Sequence, residues 1–379
     1  MNTLSLGKRT SELDVIKGLM IVLMVFGHLD YVGTTRHILG GVTEVMHTFR
    51  MPIFMVLCGY FFSPLRPTEE LVRKTVRTIL IPYLAFLTFY IFLMWLLQSQ
   101  GAQPKDAVDM SLAAYVNAIL IKPVGVYWFL HALVLFQLST ILAVYCARVL
   151  KTNAWLGILM VFMMLIHYFK LTSLVWIQFF AIGLLLKHFK TPLPASPLIG
   201  MGLVAAIALF GVNLQVAGML TGDAFLCALW AMAILSVLNG LLKAFPDAPT
   251  VTLWRFIGHN TLIVLLTHTF FLSVIKRTFN EKLIAVEPTG LFHMAVVLSI
   301  AVGGPILGAW LIDRTGLTSL VFGKQRLFVS WREANGDKNG KKAEPAPVPS
   351  NDRTTAQAPA GSMIVTPVTA VHPPLNSSF

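Results

Sequence analysis

Lys17 and His28 stand 11 positions apart in LDVIKGLMIVLMVFGHLDYV, a stretch otherwise apolar enough to cross a membrane. At 100° per residue, that spacing is three helical turns plus roughly 20°. Both side chains therefore fall on one face of a helix, about 16 Å apart along its axis. Asp14 lies one turn before Lys17 on nearly the same face. Histidine changes charge near neutral pH, so the chemistry open to this face is proton transfer beside a fixed positive charge. An ionisable group at the centre of a lone membrane helix costs roughly 2.5–3.5 kcal/mol on insertion scales, and such residues usually face a polar cavity. The arrangement suits a polar groove along the helix. The structural alternative is that Lys17 pairs with Asp14 or reaches to the interface, and that His28 closes the helix end.

Further polar residues interrupt apolar runs downstream. In HTFRMPIFMVLCGYFF, His47 and Arg50 are three apart and share a helical face. Pro52 removes a backbone donor and can bend the helix, and Gly59 permits close approach of a neighbour. Arg50 either meets an internal acid such as Glu44 or holds an anionic ligand, and spacing leaves both open. In RPTEELVRKTVRTILIPY, the cations Arg73, Lys74 and Arg77 gather at the mouth of the third apolar run. They can bind phosphates by charge and hydrogen bonds, or act only as positive anchors. YWFLHALVLFQL carries His131 and Gln137, with Tyr127 and Trp128 suited to an interfacial belt. In FIGHNTLIVLLTHTFF, His259 and His268 are nine apart and point to opposite helix faces, so they cannot share a metal. A lone deep histidine such as His268 can also be an interhelical hydrogen-bond donor. Cys58, Cys146 and Cys227 all lie in apolar runs and read as packing residues, and no metal site is expected.

The elements that must position these residues are membrane helices. The 379 residues are 56% hydrophobic and only 12% charged, with a mean hydropathy of +0.73. Soluble domains average about 25% charged residues. Ten runs have spanning character, beginning near Val15, Val45, Thr78, Val126, Ala154, Leu171, Pro197, Gly222, Gly258 and Leu291. The fifth and sixth are separated only by a short break around Lys170 and could be re-entrant. The first run is polar at both ends, without a small-residue cleavage pattern, and is not read as a signal peptide. An even number of spans puts both termini on one side. With the N-terminus in the cytoplasm, inside segments hold 20 lysines and arginines and outside segments 7. That bias supports both termini inside and accounts for most of the +12 net charge without a nucleic-acid partner. From Ser330 the composition turns to KKAEPAPVPSNDRTTAQAPAGSM, which predicts a disordered cytoplasmic tail over 330–379 after a membrane domain over 1–329. No internal repeat and no second folded domain are visible.

Taken in order, these motifs resemble the membrane acyltransferase 3 family over roughly residues 9–315. A basic residue, ten residues and a histidine form the family's first-helix hallmark, here Lys17 through GLMIVLMVFG to His28, preceded by LD. FRMPIFMVLCGYFF is similar to the family's second-helix pattern. RKTVRTILIPY matches its basic loop with Lys74 and Arg77, and YWFL and IGHNTLIVLLTH resemble later stretches. There are departures. Arg50 stands where many sugar-acetylating relatives have His, Cys58 replaces the usual Ser, and Leu133 occupies the place of a Glu found after the fourth-helix Trp. A fused extracytoplasmic esterase-like domain, present in some relatives, is not seen.

The resemblance implies an all-α polytopic enzyme of the bacterial cytoplasmic (inner) membrane. It implies transfer of an acyl group, commonly acetyl from acetyl-CoA, to a hydroxyl of an envelope or exported polysaccharide. His28 would be the catalytic base. Lys17, Arg73, Lys74 and Arg77 would bind acyl-CoA, with Asp14, His47, Arg50, His131 and His268 as further site candidates. Acetyl-CoA is then a co-substrate, and no permanently bound cofactor is expected. The implied partners are a lipid-linked or polymeric carbohydrate, the bilayer and polysaccharide-assembly proteins. A transporter or flippase is the competing reading, because it too needs ionisable residues in a midplane cavity. Such folds often show two similar halves, whereas here the intramembrane charges cluster in the first third. A sensor or scaffold with a tail is a third.

Overall fold

The computed structural model describes residues 6–100, 109, 111–212, 224–246, 248–316, 318 and 326–335. Among these the chain is helical, with no strand. Hydrocarbon offers no partner for backbone N–H and C=O groups, so an apolar chain must satisfy them within helices. Each of the ten apolar runs carries helix.

The first is α1 (Leu6–Phe26). The second is two elements rather than one, α2 (Arg36–His47) and α3 (Arg50–Phe61), broken at Thr48 and Phe49. Pro52 sits in the first turn of α3, where a missing N–H costs nothing, so it starts that helix instead of bending it. The third run is α4 (Thr68–Thr75), a π-helical turn (Val76–Leu80) and α5 (Ile81–Ser99) in one line. A short α6 (Leu112–Leu120) precedes α7 (Trp128–Val149). Then come α8 (Trp155–Tyr168), α9 (Leu174–His188), α10 (Pro197–Val212) and α11 (Ala224–Ala244).

The ninth run is an elbow. Helices α12 (Pro249–His259) and α13 (Thr261–Val286) meet at a bend of 81°. Asn260 at the corner explains it, since its side chain bonds Phe256 O and both backbone groups of Val329. Finally α14 (Leu291–Thr315) leads to Leu327 and Phe328, whose N–H groups donate to the Asp313 carboxylate, and to α15 (Trp331–Asn335). Residues 331–335 at the start of the expected tail are thus helical, and 336–379 lie outside the described residues.

Among the described residues, four helices are long and apolar enough to cross a membrane, or five if the elbow counts as one span. Helices α8 and α9, with 14 and 15 residues, reach only about 21–23 Å, short of a hydrocarbon core of about 30 Å. A multi-pass membrane protein follows from this, and ten crossings remain a prediction of the sequence.

Two backbone-to-backbone crossings frame the interior. A Cβ on Gly59 would lie 2.1 Å from Phe180 O, and one on Gly183 1.9 Å from Val56 O, so α3 and α9 touch directly. Gly18 and Gly258 do the same for α1 and α12, where a Cβ would lie 2.0 Å from Trp254 O and 1.8 Å from Asp14 O. Small residues give membrane helices this close dispersion contact, which hydrophobic exclusion cannot supply in lipid.

Candidate active site

His28 lies just beyond α1, in a turn in which its N–H donates to Val25 O. The helix therefore stops short of the residue whose angle the spacing extrapolated. The side chain is exposed and lines a cavity of about 680 Å³. His47 and Arg50 line it too, at the joint between α2 and α3. So do Trp128 at the start of α7 and Trp176 in the first turn of α9, whose rings lie 4.9 Å apart between centroids.

His268 packs against His28, with ring centroids 5.4 Å apart. It is fully buried, and its Nδ1–H donates to Val264 O at 2.9 Å and Leu265 O at 3.1 Å. That bond assigns the proton to Nδ1 and leaves Nε2 as a lone-pair nitrogen with no hydrogen-bond partner. A second imidazole thus stands behind the first.

Arg50 is buried, with its Nη1 donating to Leu23 O at 3.0 Å and its Nη2 to the His47 ring at 2.8 Å. Glu44 lines the same cavity without bonding the guanidinium. Of the two readings open from spacing, the internal acid Glu44 is not the partner.

Lys17 sits elsewhere. Its Nζ pairs with Asp14 at 2.5 Å and lies 4.9 Å from the centre of the Phe61 ring. The other Asp14 oxygen is 3.3 Å from His259 Nε2. Phe61 lines a second cavity of about 230 Å³. Lys74, Arg66, Thr75, Thr78 and Gln137 supply its polar wall, and Leu133 borders it. Lys17 thus flanks one cavity and His28 lines the other. Between them on α3 and α7, Phe54 packs edge-on against Phe129 with centroids 5.2 Å apart.

The remaining predicted residues separate. Arg73 is exposed and paired with Glu69 at 2.7 Å, and Arg77 is exposed. Neither lines the cavity that Lys74 does. His131 is buried, donating from Nε2 to Leu120 O at 2.9 Å, and lines neither cavity. Sequence reasoning missed Trp176 and Ser173 on the wall of the larger cavity. An aromatic opening an apolar run was the available signal, and interfacial tryptophans blur it.

A family model described as an acyltransferase domain matches residues 10–314. The chain belongs to the membrane acyltransferase 3 family. Within the acyltransferase 3 fold, Lys17, His28 and the cavities they border all fall inside the matched region. Nodulation protein NolL of Mesorhizobium japonicum is 30% identical over 131 residues, covering 33% of this chain. The match likewise spans 33% of that relative's length. No solved structure matches the chain. The chain is therefore a multi-pass membrane member of this family.

Proposed function

We propose that this acyltransferase moves an acetyl group from acetyl-CoA to a hydroxyl of an envelope or exported polysaccharide in the bacterial inner membrane, with both termini cytoplasmic. The observation that carries the reading is His28 on the wall of a cavity that also holds the Trp128–Trp176 pair. Aromatic faces beside a few polar groups suit a ring with apolar C–H faces and hydroxyl edges.

In this reading the smaller cavity receives the donor. Acetyl-CoA is polyanionic and cytoplasmic, and Lys74 and Arg66 offer cations and N–H donors to phosphate. Lys17 contacts the donor deeper in, and Arg73 and Arg77 act as looser electrostatic attractors at the mouth. The thioester passes toward His28 along the seam of α3 and α7. The acceptor hydroxyl enters the larger cavity and gives its proton to a His28 ring nitrogen while its oxygen attacks the thioester carbon. Collapse of the tetrahedral adduct breaks the C–S bond. The CoA thiolate leaves and takes up a proton, and the ester remains on the sugar.

Two measurements test this. Purified protein with acetyl-CoA and an oligosaccharide acceptor is expected to release free CoA thiol in step with acetyl ester formation. Envelope and secreted polysaccharides from cells lacking the gene are expected to lose the mass of one acetyl group per modified repeat. Unchanged polysaccharide masses together with no thiol release would refute the reading.

A further inference from the structure

Arg50 places a positive charge in the wall of the His28 cavity without a matching anion. The residue is 2% exposed. Its Nε is buried with no hydrogen-bond partner, and among the described residues no carboxylate forms an ion pair with it. His47 can accept from Nη2 only through a ring lone pair, so it offers a dipole and not a charge. Leu23 O, near the C-terminal end of α1, offers about half a negative charge at most.

The position is built for the guanidinium. A Cβ at Gly27 would fall 1.6 Å from Arg50 Nη1. Only glycine at that point lets the cation lie directly beneath the turn that carries His28.

The surrounding backbone adds to the positive field. Three helices begin at this cavity, α3 at Arg50, α7 at Trp128 and α9 at Leu174 with Ser173 as its cap. Each N-terminus carries roughly half a positive charge. A buried cation kept without a counter-charge is costly, and cost is recovered when a ligand brings the anion.

We propose that the acceptor is an acidic carbohydrate, whose carboxylate or phosphate seats against Arg50 while the hydroxyl to be acylated faces His28. This rests on the reading of the larger cavity as the acceptor site. It assigns to Arg50 the choice of substrate, and to the Trp128–Trp176 wall the sugar ring. Both oxyanions are planar or trigonal oxygen arrays that match the guanidinium donors.

The test is direct binding to the full-length protein in detergent, measured by titration calorimetry with no donor present. Methyl glucuronide probes the carboxylate, glucose 1-phosphate the phosphate and methyl glucoside the neutral ring. Wild-type protein is expected to bind one of the acidic probes about 10–100-fold more tightly than the glucoside, as for a buried charge-assisted pair. Which acid binds identifies the oxyanion. Inorganic phosphate is expected to compete with it. In Arg50→Gln the preference is expected to vanish while the glucoside affinity stays, and Arg50→Lys is expected to restore part of it.

Equal affinity of wild-type protein for all three probes would overturn the proposal, and that comparison needs no variant to fold. An Arg50→Gln protein that keeps the acidic preference but loses turnover would overturn it too, and would make Arg50 a stabiliser of the tetrahedral oxyanion. Binding of no probe, alongside normal thiol release with a natural acceptor, would overturn the proposal and leave acetyl transfer standing. Acidic-probe binding without any acetyl-CoA turnover would instead refute the proposed reaction and support the anion site.

Discussion

Replacing His28 with Gln separates chemistry from structure more cleanly than any other change in the protein. Glutamine keeps a hydrogen-bonding side chain of similar length but cannot take the hydroxyl proton. General-base catalysis contributes about 10²–10⁴-fold, which at about 1.36 kcal/mol per decade is roughly 2.7–5.5 kcal/mol of barrier. The structural loss is far smaller. His28 is exposed on the cavity wall and sits past the end of α1, so no close-packed volume is removed. Exposed substitutions usually stay within about 0.5 kcal/mol of stability. The rate is therefore expected to fall by at least two decades while the thermal unfolding midpoint barely moves. The assay is acetyl-CoA-dependent thiol release on the same detergent-purified preparation used for the melt. Near-wild-type turnover in His28→Gln would refute the assignment. The base would then be sought at His47, which lines the same cavity, or at His268 behind it. His131, tied to Leu120 O and away from both cavities, would come last.

The second cavity makes its own distinction. Lys74→Ala is expected to weaken acetyl-CoA affinity more than Arg73→Ala, because Lys74 lines the cavity and Arg73 is held by Glu69. Equal losses in calorimetric titration would refute that ranking, and unchanged affinity in both variants would return the cluster to an anchoring role. At the α3–α9 crossing, Gly59→Ala forces a methyl to within 2.1 Å of Phe180 O. Overpacking of this kind costs about 1–3 kcal/mol, so a lowered unfolding midpoint is expected, and an unchanged one would mean the crossing is looser than described. A reporter fused after Ser330 is expected to read cytoplasmic, and a periplasmic readout would refute the even-span topology. Glu287 accepts from the Thr289 hydroxyl and from the Thr289 and Phe292 N–H groups, which holds its carboxyl below the usual range. Its contribution to stability is full above the ordinary glutamate pKa and is lost as pH falls through the depressed value. Thermal melts from neutral to acid pH are expected to lose this component in Glu287→Gln, and identical acid limbs would refute it.

Much of the membrane domain was legible because helix formation in hydrocarbon is a local demand. Every apolar run had to become helix wherever its backbone lacked water, and the ten runs are helical. The breaks were less legible. Pro52 reads as a kink until the break at Thr48 and Phe49 is known, and then the same residue is a first-turn proline. The elbow at Asn260 depends on Val329, 69 residues away, and periodicity carries no trace of that bond.

For the site, residue type alone marked Lys17, His28 and Arg50, because ionisable groups are expensive in apolar runs wherever they fall. That cost is a property of one residue in one helix, so the sequence by itself singled out the candidate positions. Which positions meet was decided by tertiary structure. Lys17 and His28 share a calculated helix face, yet they border different cavities, because α1 ends before His28 and α3 offers Phe61 to one and Arg50 to the other. His131 was drawn to the backbone carbonyl of Leu120 in α6. Trp176 reached Trp128 across two helices. Contacts between segments tens of residues apart depend on how helices cross, here through Gly18 with Gly258 and Gly59 with Gly183. A helical period describes one helix about its own axis and carries no information about the neighbour it will face.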